Sequence, residues 1–180
     1  MNLPRFRPAA VTWREWLGLA AGLLALVSLL LPWTVLEAAD PELTSVLAEL
    51  PREDVVRDVW KAGFFAWFPP LVLLLAGLAV ALFGQVRAVR VAGLPQLWLV
   101  AAVVALALLV VGWFTLGWQF GVEQRALLAD AGITIGPGAG RVLATVAGAA
   151  SLLAAVLDLR AGKPARARAR RMPPMWHWGR

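Results

Sequence analysis

The chain has 180 residues, of which 61% are hydrophobic and 16% charged, with a formal net charge of +6; soluble domains carry about a quarter charged residues. Cysteine is absent and histidine occurs once, as His177, which excludes disulfides, thiolate chemistry and cysteine metal sites and leaves a lone imidazole that cannot hold a metal by itself. The apolar excess lies in long uninterrupted runs, which points to burial in lipid rather than an enlarged soluble core.

The first segment, 1–15, carries Arg5, Arg7 and Arg14 and reads as a cytoplasmic lead. An uncharged run follows from Trp16 to Leu36, about 31 Å long as a helix. It exceeds the roughly 7 to 15 residues of a signal-peptide core, and Glu37-Ala38-Ala39 offers a poor cleavage site, so an uncleaved anchor is expected. Residues 37–68 form the first outer loop. Asp40 is a candidate N-cap with Pro41 at the first helical position, predicting a short surface helix over Pro41–Leu50. A second one opens at Pro51, with Val55, Val56, Val59 and Trp60 on an apolar side. Glu53, Asp54 and Asp58 are the clustered carboxylates. Arg52 and Arg57 interleave with them and no calcium-loop pattern is present, so a solvated charged face is expected rather than a metal site.

The second span is expected at 69–86, with Pro69 and Pro70 in its first turn, and the third at 95–117, opened by Pro95. After it, Ile133-Thr134-Ile135 leads into Gly136-Pro137-Gly138-Ala139-Gly140, read as a flexible approach to the last helix; it lacks the G-x-x-x-x-G-K-[ST] pattern of a phosphate loop. The fourth span, 139–158, has only 16 uncharged residues between Arg141 and Asp158 and needs Arg141 to snorkel outward or neighbours to thin the bilayer locally. Gly136, Gly140, Ala144 and Gly148 recur every four residues along it, and Gly18 and Gly22 form a similar pair in the first span. Small-residue stripes let helix backbones approach closely in lipid, so the last helix is expected to pack on the first.

Lysine and arginine fix the orientation. The N-terminus, the Gln85–Leu94 loop and the tail hold 3, 2 and 7 of them, against 3 and 2 in Glu37–Lys61 and Gln119–Arg141. The positive-inside rule places both termini in the cytoplasm. The charge is thereby a topology signal and no argument for nucleic acid. Ten tryptophans, among them Trp13, Trp16, Trp33, Trp98, Trp113 and Trp118 near predicted span ends, read as interfacial belts. The spans carry no central ionisable residue. Ser28, Thr115, Thr145 and Ser151 are their main polar side chains, each able to bond back to a carbonyl one turn earlier. No catalytic residues, cofactor or metal are therefore expected.

The tail, 160–180, includes Arg166, Arg168, Arg170 and Arg171 and ends in Met-Trp-His-Trp-Gly-Arg. Its basic cluster suits anionic headgroups, while Trp176 and Trp178 suit the interface or a partner protein. Leu30-Leu31-Pro32-Trp33, Trp60-Lys61-Ala62-Gly63-Phe64 and the Gly136–Gly140 stretch resemble small four-span membrane proteins of high-GC actinobacteria. The resemblance covers the whole chain in layout; it implies a fold and a membrane location, and no activity. The sequence thus predicts an all-α, membrane-embedded bundle of four transmembrane helices with short outer-surface helices, in the cell membrane. Its expected role is a non-catalytic accessory subunit among membrane lipids and other membrane protein subunits, with lipid or hydrophobic small-molecule handling as the alternative.

Overall fold

Four long helices run up and down past one another and a small sheet covers one end; a computed structural model describes residues 11–38 and 40–170, the side chains of 53 and 162–170 excepted. Helix α1, Trp13–Ser28, opens on a capping box in which the Thr12 hydroxyl accepts from the Glu15 N–H and the Glu15 carboxylate accepts from the Thr12 N–H. It stops eight residues before the end of the predicted span. Pro32 follows the last turn, and Thr34–Ala38 becomes strand β1, because Thr34-Val35-Leu36 suits an extended chain.

Helix α2, Pro41–Glu49, starts on the Asp40 cap, whose carboxylate accepts from the Glu42 N–H. The one-turn helix α3, Arg52–Val55, gives way at once to the short strand β2, Val56–Arg57. Helix α4, Phe64–Phe83, begins five residues earlier than the prolines suggested, after Gly63 at φ 90°. Pro69 and Pro70 therefore sit inside it, buried against neighbouring helices. A five-residue helix α5, Arg87–Val91, connects to α6, Leu94–Phe114. A 3-10 turn at Leu116–Gln119, helix α7 at Val122–Asp130 and strand β3 at Ile133–Pro137 lead to α8, Ala139–Arg170. The predicted end of the last helix at 158 is passed by twelve residues; the alanines and arginines there are strong helix formers.

Helices α4, α6 and α8 are each long and apolar enough to cross a membrane: Phe64–Phe83, Leu94–Phe114 and Ala139–Ala161. Helix α1 has 16 residues, about 24 Å. It packs along α4 and α8, and α6 packs along the same two. Ser28 at the end of α1 meets Gly140, and Arg14 at its start reaches Asp158 with Nε 3.6 Å from Oδ1. Those two positions of α8 are 18 residues apart, about 27 Å, so α1 runs beside the 140–158 part of α8.

The sheet has the order β2-β1-β3, antiparallel throughout. Leu36 lies opposite Ile135 and Val35 opposite Gly136, which fixes the approach to α8 that the sequence suggested to be flexible. The sheet is tied to the helices at Arg57, whose guanidinium donates to the Gln119 carbonyl at 3.0 Å and lies 4.0 Å from the Phe120 ring centre. The Gln119 amide in turn donates to the Thr34 hydroxyl at 2.7 Å.

Candidate functional site

Polar side chains enter the helical body at both ends. At the end away from the sheet, Arg90 reaches across from the connection between α4 and α6. Its Nη2 donates to both Asp158 oxygens at 2.7 and 2.9 Å, and its Nη1 donates to Glu15 Oε1 at 3.2 Å. Glu15 and Asp158 are 2% and 3% exposed, whereas Arg90 retains 34%. One guanidinium thereby joins the start of α1, the connection α5 and the far part of α8. The cleft lined by these residues, Gly84, Pro95 and Trp98 leaves no room for a water molecule. A bidentate arginine is well matched to a carboxylate, and with Arg14 Nε 3.6 Å from Asp158 the cluster sets two cations against two buried acids.

At the sheet end Arg141 turns inward and is 4% exposed, opposite to the snorkelling expected of it. Its Nη1 donates to the Gly112 carbonyl, its Nε to the Trp33 carbonyl at 3.4 Å, and its guanidinium carbon lies 5.8 Å from the Trp33 ring centre. The reason is positional. Gly112 is in the last turn of α6, where carbonyls lack intrahelical partners and carry the negative end of the helix dipole. Arg141 sits beside that turn because α8 starts where α6 ends. Trp33 is held in turn by its indole N–H on the Ser28 carbonyl at 2.8 Å.

Between the two ends, the buried Trp98 donates its indole N–H to the Ser151 hydroxyl at 3.1 Å. Trp33 and Trp98 thus belong to the interior and not to an interfacial belt. Trp13, Trp16, Trp60 and Trp118 are exposed. Ser28, Thr115 and Thr145 bond back to Ala25, Val111 and Arg141 carbonyls. Thr145 also accepts from the Trp113 indole at 3.0 Å.

The small residues divide among several neighbours. A Cβ on Gly140 would stand 2.7 Å from the Ser28 carbonyl oxygen and equally close to the Trp33 indole nitrogen, so this glycine seats α8 on the end of α1. Ala144 is fully buried in the core with Ala25, Leu73 and Leu109. Gly148 faces Leu106 and Leu109 of α6, and Gly136 lies in β3 with the Glu37 carboxylate over it, outside the helix altogether. In α1, Gly22 abuts the backbone of Leu73 and Leu74, and Gly18 lies under the Trp98 ring with its carbonyl 2.6 Å from a Cβ placed on Gly77. The α1 pair therefore serves contacts with α4 and Trp98, and a single stripe-to-stripe seam between α1 and α8 does not form. The backbone at Arg166, Arg168 and Arg170 continues α8; Arg171, Trp176, Trp178 and His177 lie outside the described residues.

The outer carboxylates form no metal set: among the described residues no group of three His, Cys, Asp or Glu side chains could hold an ion. Asp58 instead accepts from the Lys61 N–H at 2.8 Å. Between α4 and α6 lies an apolar groove of about 300 Å³, lined by Val72, Ala76, Ala79, Leu94, Leu97 and Ala101, with Trp98 in its wall. Alanines on both helices open it, and no sequence periodicity announces two such faces meeting. No family profile, curated protein or solved structure matches the chain.

Proposed function

We propose that the chain is a four-span integral membrane protein of the cell membrane with both ends cytoplasmic, acting as a non-catalytic accessory or structural subunit of a larger membrane assembly. The observation that carries the reading is the use made of ionisable groups inside the helical body. Such groups in a membrane usually mark a transport path or a reaction centre. Here Arg90 ties α1 to α8, and Arg141 ties α8 to α6, so their chemistry goes into holding helices together. Counting α1 as a span rests on its course beside α8 and on the arginine-rich sides that this topology brings together. The resemblance to small actinobacterial four-span proteins belongs to the same reading.

The test is extraction of the full chain from its native membrane in mild detergent, followed by native electrophoresis and identification of stoichiometric companions. A strictly monomeric species without companions overturns the subunit role. Because the chain has no cysteine, single cysteines at Ala48 and Ala88 report their sides through a membrane-impermeant maleimide; labelling of both from one side overturns the topology. A second reading, lipid or hydrophobic small-molecule handling, is favoured by the α4–α6 groove. Lipid retained by the purified chain, counted by mass spectrometry, tests it.

A further inference from the structure

The α4–α6 groove ends at a basic connection, and that combination selects a class of ligand. The lining runs from Val72 to Val80 on α4, about 12 Å along the helix, and its walls are almost wholly apolar. It continues to Leu94 and Leu97 at the start of α6, which is the point where the α5 connection joins the two helices. Arg87 and Arg90 are the charged residues of that connection, and no acid lies between Gln85 and Leu94. Arg87 is exposed. Arg90 keeps a third of its side chain accessible while holding Glu15 and Asp158. The groove is thus an apolar trough whose α6 end adjoins a connection carrying two arginines and no acid.

Resting on the lipid-handling reading, we propose that this groove binds one anionic phospholipid: an acyl chain lies over Ala76, Ala79 and Ala101, and the phosphate meets Arg87 at the α5 connection. The chain needs no polar partner, which fits a lining of valine, leucine, alanine and the Trp98 ring. The phosphate suits a site supplying positive charge at headgroup level, where each arginine attracts anionic lipid by about fivefold in affinity. A second copy of this chain is disfavoured as occupant, because the same end would set Arg87 against like charge. A zwitterionic headgroup brings its own cation beside the phosphate, so Arg87 gains less from it than from an anionic one.

The experiment titrates the full chain in detergent with phosphatidylglycerol or phosphatidylcholine of identical acyl chains, counting bound lipid by native mass spectrometry. One tightly held phosphatidylglycerol is expected, bound several-fold better than phosphatidylcholine. Arg87→Gln should lower phosphatidylglycerol affinity about fivefold and phosphatidylcholine affinity by less, and an equal loss for both overturns anionic selection. Ala101→Phe fills the groove from α6 and should abolish the tight site for both lipids. Ala79→Leu fills it from α4 and guards against a folding failure of the first variant, with the melting temperature as the check on both. If the filling variants remove binding while Arg87→Gln changes neither lipid, anionic selection is overturned and lipid handling survives. If neither lipid binds tightly, or the filling variants bind as well as the parent, both readings fall. A dimer dispersed by Ala101→Phe assigns the groove to a second copy and also overturns the proposal.

Discussion

Replacing Arg90 by Gln removes one charge from a cluster whose two acids are almost completely buried. Glu15 and Asp158 then keep only weaker partners: the Thr12 N–H on Glu15 at 2.7 Å, and Arg14 Nε at 3.6 Å from Asp158. Removing one member of a fully buried pair costs about 3–5 kcal/mol, and an exposed pair is worth about 0–1 kcal/mol. Arg90 lies between these limits, since a third of it meets solvent but both of its acceptors do not. We therefore expect a loss of about 2–3 kcal/mol. In a chain of this length that lowers the melting temperature by about 5–10 °C, measured by tryptophan fluorescence in one fixed detergent.

The double variant Arg90→Gln with Asp158→Asn separates charge from packing. It removes one orphaned carboxylate and leaves Glu15 beside its capping N–H, so about half of the lost stability should return. Additive losses would mean that the acids do not depend on Arg90. A melting temperature unchanged in Arg90→Gln itself would refute the idea that this guanidinium joins α1 to α8.

Gly140→Leu should prevent stable assembly, because even a Cβ stands 2.7 Å from the Ser28 carbonyl and overpacking of this kind costs about 1–3 kcal/mol or more; recovery of monodisperse protein after gel filtration is the measure. Ser151→Ala leaves the buried Trp98 indole N–H unpaired and should destabilise by about 1–3 kcal/mol, again by thermal melting. Arg141→Met removes the donor to two carbonyls, whereas Arg141→Lys keeps the charge without the planar fork; both should lower the melting temperature, the methionine variant more. Thr134→Pro deletes a backbone donor from β3 opposite Glu37 and should increase protease cleavage between 33 and 63 without extracting the protein from membranes.

The long apolar helices were legible because composition alone reports them: α4, α6 and α8 each contain an extended uncharged run. The Asp40 cap and Pro41 start of α2 were legible for a local reason, since cap chemistry depends on adjacent residues. The sheet was hidden because β1 is fused in sequence to the apolar run of α1. The alternation in Thr34-Val35-Leu36 and Ile133-Thr134-Ile135 was the available signal, with Pro32 marking where the helix had to stop. The ionic cluster had no signal of this kind. Arg90 is 75 residues from Glu15 and 68 from Asp158, and each reads singly as a span-end charge. Arg141 was misread for the same reason. Its position at the edge of a hydrophobic run says nothing about the open carbonyls of α6, which only the antiparallel arrangement of α6 and α8 brings beside it.

The two polar ends solve one problem by different means. Away from the sheet, opposite charges neutralise one another, and Arg90 supplies two acids at once. At the sheet end no carboxylate among the described residues pairs with Arg141, and backbone carbonyls take its place: the end of α6 presents carbonyls that need donors, and a cation beside a helix C-terminus is favoured by its dipole. Between Glu15 and Asp158 at one end and Arg141 at the other, α1, α4, α6 and α8 carry no charged residue. The uncharged slab is about 26 Å deep measured along α8, close to the roughly 30 Å of a bilayer's hydrocarbon core. Helix α1 fits that slab with only 16 residues because its polar ends are met by partners inside the protein. A helix so supported does not need the full length demanded of one that faces lipid alone.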